Sequence, residues 1–133
     1  MIVTTPQDVS LLDARKGLKM FEQVSVPVLG IVENMSFFVC GHCHQKTEIF
    51  RHGGGQNEAV RLGVPFLGEV PLDPEVVMGG DQGQPILLRC PKSPVAEAYR
   101  KAAGAMAAQL SIANASAPTQ SNVKIMWDPN KRP

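Results

Sequence analysis

Cys40 and Cys43, three positions apart, are the residues of this chain best suited to chemistry. Thiolates at Cys-x-x-Cys spacing can grip one soft metal ion, share one cluster iron, or oxidise to each other. Cys90, well away from the pair and just before Pro91, reads as a packed or idle thiol. His42, His44 and His52 lie in or after the pair and read first as solvent-facing loop residues. His44 or His52 could complete a structural zinc site, although Cys-x-x-Cys-x8-His is not a standard finger. A dithiol redox centre of the form Cys40-Gly41-His42-Cys43 needs a helix N-terminus to lower its first thiol's pKa. Residues 44–48 alternate and soon meet Gly53-Gly54-Gly55, so no long helix starts there. An iron–sulfur cluster needs about four thiolates, and two per chain would call for a second copy across a two-fold axis. Residue types alone leave zinc, cluster, dithiol and incidental surface thiols all open.

The elements that must position the pair are legible around it. Ile2 to Thr4 is a short β-type run. Thr5-Pro6-Gln7-Asp8 has the composition of a helix start, with Thr5 as cap and Asp8 at the positive helix end. Leu11, Ala14, Leu18 and Phe21 then form one apolar stripe. Val28-Leu29-Gly30-Ile31-Val32 is a continuous apolar run of the kind covered on both faces. Strand, helix, strand at this spacing predicts a βαβ unit and a parallel sheet, which binds ligands beyond its strands' carboxyl ends.

Gln45 to Phe50 is expected as a hairpin arm, Gln56 to Leu62 as a short helix closed by Gly63, and Phe66 to Val70 as a third strand. Residues 79–85 are turn-rich. Ser93-Pro94 starts a final helix with Val95, Tyr99, Ala102, Met106 and Leu110 on one stripe. Residues 113–133 read as a disordered tail in which Val123 to Trp127 could dock. Three core strands are fewer than the five or six of an ordinary sheet, so a piece of a larger fold is expected.

Composition narrows the class. An apolar fraction of 44%, a charged fraction of 19% and a net charge of +1 suit a globular domain. They give no electrostatic case for nucleic acid or an anionic membrane. No apolar run approaches the ~20 residues that span a bilayer. Two close cysteines and one distant do not make a disulfide framework, so a reducing setting is expected, cytoplasmic or else an organelle matrix.

Several segments together resemble one family. Ile2-Val3-Thr4-Thr5-Pro6-Gln7-Asp8-Val9 and Pro27-Val28-Leu29-Gly30-Ile31-Val32-Glu33-Asn34-Met35-Ser36 are similar to the Mrp/ApbC iron–sulfur carriers, deviant P-loop ATPases. Cys40-Gly41-His42-Cys43, Phe50-Arg51-His52-Gly53-Gly54-Gly55, Val70-Pro71-Leu72-Asp73-Pro74 and Gly79 to Ile86 continue the likeness over about residues 1–110. The resemblance implies an α/β fold, the C-terminal part of a parallel-sheet, Rossmann-like P-loop NTPase with a Cys-x-x-Cys loop or hairpin insertion. Residues 1–112 would form that half-domain. It further implies a 4Fe-4S cluster on Cys40 and Cys43, shared across a homodimer and passed to recipient apoproteins.

By the same resemblance, Asn34 and the Pro71-Leu72-Asp73 turn form the adenine side of a site for ATP with Mg. Read without it, Asn34 would close its strand through a side-chain turn and Asp73 would cap a helix. The family's glycine-rich phosphate loop and its acidic metal-binding strand have no counterpart among these residues. No Gly-Lys-Ser or Gly-Lys-Thr occurs, and Gly53-Gly54-Gly55 has no adjacent lysine. Such a loop carries nucleotide affinity and phosphoryl transfer, so no ATP hydrolysis is expected of this polypeptide alone.

Overall fold

The computed structural model describes residues 1–116. β1 (Ile2–Thr4) leads through α1 (Asp8–Gln23) to β2 (Ile31–Val39), and β3 (Lys46–Thr47) folds back on the end of β2. α2 (Gly54–Leu62) precedes β4 (Phe66–Leu72), after which α3 (Pro74–Asp81), α4 (Ile86–Arg89) and α5 (Pro94–Ser116) complete the described chain. β2 is central. It pairs in parallel with β1 (Ile2 beside Ile31) and with β4 (Glu33 beside Glu69). It also pairs antiparallel with β3, Phe38 facing Thr47 and Val39 facing Lys46.

Alternation along β2 sends neighbouring residues to opposite faces. Ile31 packs with Ile2, Ala14, Leu18 and Ala59 under α1 and α2. Val32 packs with Leu67, Val70, Ile86, Val95 and Ala102 under α4 and α5. The result is a three-layer α/β/α arrangement with a core on each side of the sheet, as expected for strands buried on both faces.

Several boundaries differ from expectation. β2 starts at Ile31 and runs through Phe38 and Val39; Gly30, at φ 150°, lies close against Pro65, where a Cβ would overlap the carbonyl oxygen. α1 starts at Asp8, and Thr5 does not cap its backbone. The Thr5 hydroxyl instead lies 2.6 Å from Gln7 Oε1 and 2.8 Å from Ser10 Oγ. Gly79 to Asp81 complete α3 and are not turn; at the other end of the helix Asp73 caps it by accepting the Glu75 N–H. The final helix continues past residue 112 to Ser116. Its last residues include neither Gly nor Pro, and Ser111 and Ser116 bond back to the Ala107 and Ile112 carbonyls. The expected tail from 117 onward, including Val123 to Trp127, lies outside the described residues.

Candidate functional site

The site is built on an irregularity in β2. Met35 adopts a left-handed φ of 54°, and the register with β4 shifts between Asn34 and Phe38. Between the Asn34–Val70 and Phe38–Leu72 pairs β2 advances four residues and β4 two, and this irregularity brings Glu33 and Ser36, three apart, to one side. Both are fully buried. Glu33 takes the Gly55 N–H at 2.5 Å and the Gly53 N–H at 3.3 Å, which ties β2 to the first turn of α2.

Beyond the shift, β2 leads into the cysteine turn. The Cys40 N–H donates to Gln45 O at 3.0 Å and the His44 N–H to Cys40 O at 2.8 Å, while His44 takes a left-handed φ of 57°. This tight turn aims the backbone N–H groups of Cys43 and His42 at the Cys40 sulfur, with the Cys43 thiol alongside. Those donors hold the Cys40 thiol below its ordinary pKa, against the smaller opposing effect of desolvation. Cys43 is exposed and Cys40 partly so, and all three thiols are free. The turn thus offers two adjacent sulfurs, one biased toward thiolate, at an accessible tip. Cys90 lies apart, packed against the core beneath α5.

The residues assigned to an adenine site do not face one cavity. Asn34 opens on a space of about 270 Å³ lined by Val3, Val32, Val70 and Tyr99, and its Oδ1 accepts the Met35 N–H at 2.9 Å. Pro71 and Asp73 open on a second space of about 480 Å³ whose far wall is Phe38, Cys40 and His44. His42 and His44 are solvent-facing. His52 is not simply so: its Nδ1 turns inward to within 3.2 Å of Ser36 Oγ. The sequence carries one signal for this. Glu33 interrupts an apolar strand, and a buried carboxylate must find donors.

A parallel β1–β2–β4 sheet covered by helices on both faces places the chain in the P-loop NTPase class of α/β proteins. More narrowly, it belongs to the family described as NUBPL iron-transfer P-loop NTPase, within the ParA group, whose model matches residues 1–107. The iron–sulfur cluster transfer protein NUBPL of Dictyostelium discoideum is 45% identical over 114 residues, 86% of this chain and 35% of that protein. An iron–sulfur cluster carrier protein of Synechocystis sp. is 49% identical over 114 residues, 85% of this chain and 32% of its own length. Among solved structures, a nucleotide-binding protein from Archaeoglobus fulgidus, in complex with ADP and with Co found in it, superposes with a TM-score of 0.54. It is 34% identical, over 62% of this chain and 35% of that one. The chain therefore spans about a third of the length of the curated relatives it matches.

Proposed function

We propose that this chain is the cluster-holding part of an iron–sulfur cluster carrier. Cys40 and Cys43 from each of two copies bind a labile 4Fe-4S cluster as cargo and deliver it to recipient apoproteins. The observation that carries this reading is the exposed Cys40–Cys43 turn with its N–H groups directed at sulfur, in a family of iron-transfer proteins. Backbone donors to sulfur stabilise a thiolate without closing its outer face, so a second pair of sulfurs can approach. A reducing, cytoplasmic setting suits thiols kept free for such exchange.

Anaerobic loading with iron and sulfide tests the proposal. Cys40→Ala and Cys43→Ala should each lose cluster absorbance, whereas Cys90→Ala keeps it. Light scattering should show monomers becoming dimers with one four-iron cluster per two chains. Full absorbance in either of the first two variants, or a loaded monomer, would overturn it. A single tetrahedral metal ion on the same four sulfurs is the second reading, since paired thiolates at this spacing bind such ions. Iron and sulfide analysis of the loaded protein separates the two.

Nucleotide enters through the longer relatives. Asn34 would offer its amide to an adenine edge, and the Pro71-Leu72-Asp73 turn would form a second wall. A ligand against that turn shares its cavity with Cys40, which supports coupling between nucleotide and cluster. The triphosphate needs charge-assisted donors that residues 1–133 do not supply in a Gly-Lys-Ser or Gly-Lys-Thr loop. This polypeptide alone should show no ATP turnover and a Kd no tighter than roughly 1 mM, about −4 kcal/mol. Micromolar affinity by calorimetry would contradict that.

A further inference from the structure

Beneath the cysteine arm lies a second set of ligand-type side chains, independent of the sulfurs. Glu33 on β2 and Glu69 on β4 are register neighbours on adjacent parallel strands. Like charges side by side on one sheet face repel, and here one of the two is fully buried. His52, from the loop that precedes α2, brings its Nδ1 to 4.0 Å from Glu33 Oε1 and 3.6 Å from Glu69 Oε2. The ligand atoms of all three residues lie within 4.8 Å of one another.

Ser36 cannot donate to both carboxylates at once. Its Oγ lies 2.5 Å from Glu33 Oε1, 3.2 Å from Glu69 Oε2 and 3.2 Å from His52 Nδ1. One hydroxyl carries one proton, and the short contact commits it to Glu33. The Glu69 oxygen then faces Ser36 and His52 without receiving that proton. Lys46 stands 3.8 Å from the other Glu69 oxygen and stacks on the Phe37 ring, so it balances that edge alone. The Gly53 N–H donates to the same Glu33 oxygen, Oε1, at 3.3 Å, and the Gly55 N–H donates to Oε2.

We infer that Glu33, Glu69 and His52 form a binding site for one divalent first-row transition-metal ion, of the class of Zn²⁺ or Co²⁺. Two carboxylate oxygens and an imidazole nitrogen are the donor set such ions take. Separations of 3.6 and 4.0 Å exceed by about 0.3 and 0.7 Å the roughly 3.3 Å between ligands about 2.0–2.1 Å from a tetrahedral centre. Side-chain movements must close that gap and turn aside the Ser36 hydroxyl, which now lies among the three ligand atoms. The ion would neutralise the Glu33–Glu69 pair and pin β2, β4 and the His52 loop together at the root of the arm.

The test removes the sulfurs first. The full chain carrying Cys40→Ser and Cys43→Ser is dialysed against ZnCl₂ or CoCl₂, and its bound metal is measured. Retention of about one equivalent is expected, with cobalt d–d bands in the visible and no thiolate charge-transfer band. A rise in Tm on Zn²⁺ addition should accompany it, because a ligand held by the folded state stabilises that state. Adding His52→Ala or Glu69→Gln should weaken binding at least about tenfold. Both side chains are about one-third exposed, so these variants should fold even where Glu33→Gln does not. No metal on the chain lacking Cys40 and Cys43, or equal metal with and without His52, would overturn the assignment.

Discussion

The two halves of β2 differ in almost everything except that they are one strand. Ile31, Val32 and Glu33 are buried between β1 and β4 and roofed by helices on both faces. Phe37, Phe38 and Val39 are half-buried, and the two-residue β3 that pairs with them is exposed. Met35, with its left-handed backbone, divides the halves. The difference teaches that a frame and an arm can be cut from one continuous element. The frame's hydrogen bonds open only with the fold, whereas those of the arm are exposed and can move at lower cost. A group that must meet a second chain belongs on the arm.

The sharpest way to break this division is to alter one half and measure both properties. Cys40→Ala should abolish cluster binding while shifting unfolding stability by no more than about 0.5 kcal/mol, since the thiol is near the surface. A large loss of stability in a urea titration would mean that the arm is part of the frame. Gly30→Ala should do the reverse, since an added Cβ overlaps the Pro65 carbonyl at a φ that side chains avoid. We expect a loss of about 2–4 kcal/mol, with the cysteine turn itself unaltered. A neutral result would show that the β2 entry is not tightly held.

Met35→Val addresses the pivot. A β-branched residue is disfavoured in the left-handed region, so destabilisation of about 1–2 kcal/mol is expected in the same urea assay. Unchanged stability would mean that the strand shift does not need that conformation.

The smallest effect concerns pH at the tip. Because N–H donors lower the Cys40 pKa, its thiolate is present at lower pH than an ordinary thiol's. Alkylation of Cys40 by iodoacetamide, followed by mass spectrometry, should rise with pH through a midpoint below about 8.5. A midpoint at or above that value would remove the argument that the turn prepares Cys40 for metal. The sign also fixes a minor stability contribution, present above the unfolded thiol's pKa and lost as pH falls through the folded one.

Short-range features were legible from residues alone because local rules suffice for them. The apolar stripe of Leu11, Ala14 and Leu18 follows from helical periodicity, and all three are buried. The capping role open to Asp73 follows from its place before Pro74, and the hairpin arm from alternation after the cysteines. The Cys40–Cys43 pair is a motif of spacing, which no amount of folding alters. The family likeness, carried by segments spread over the chain, agrees with the model match over residues 1–107.

Tertiary structure decided what depends on strands lying side by side. Glu33 and Glu69 are 36 positions apart, and only the β2–β4 register makes them neighbours. His52 reads as a loop histidine until the α2 entry folds over β2 and turns its ring inward. The shift at Met35 places Glu33 and Ser36 on one face, which strict alternation forbids. Asn34 and the Pro71-Leu72-Asp73 turn, linked by family pattern, open on different cavities here. The extension of α5 to Ser116 was hidden by a composition that suggested a tail, although Ala113 and Ala115 within it are strong helix formers. Sequence determined which groups could bind sulfur-loving metal. Three-dimensional packing determined which carboxylates and imidazole meet beneath it, because the energy that brings like charges together comes from burial of the whole sheet.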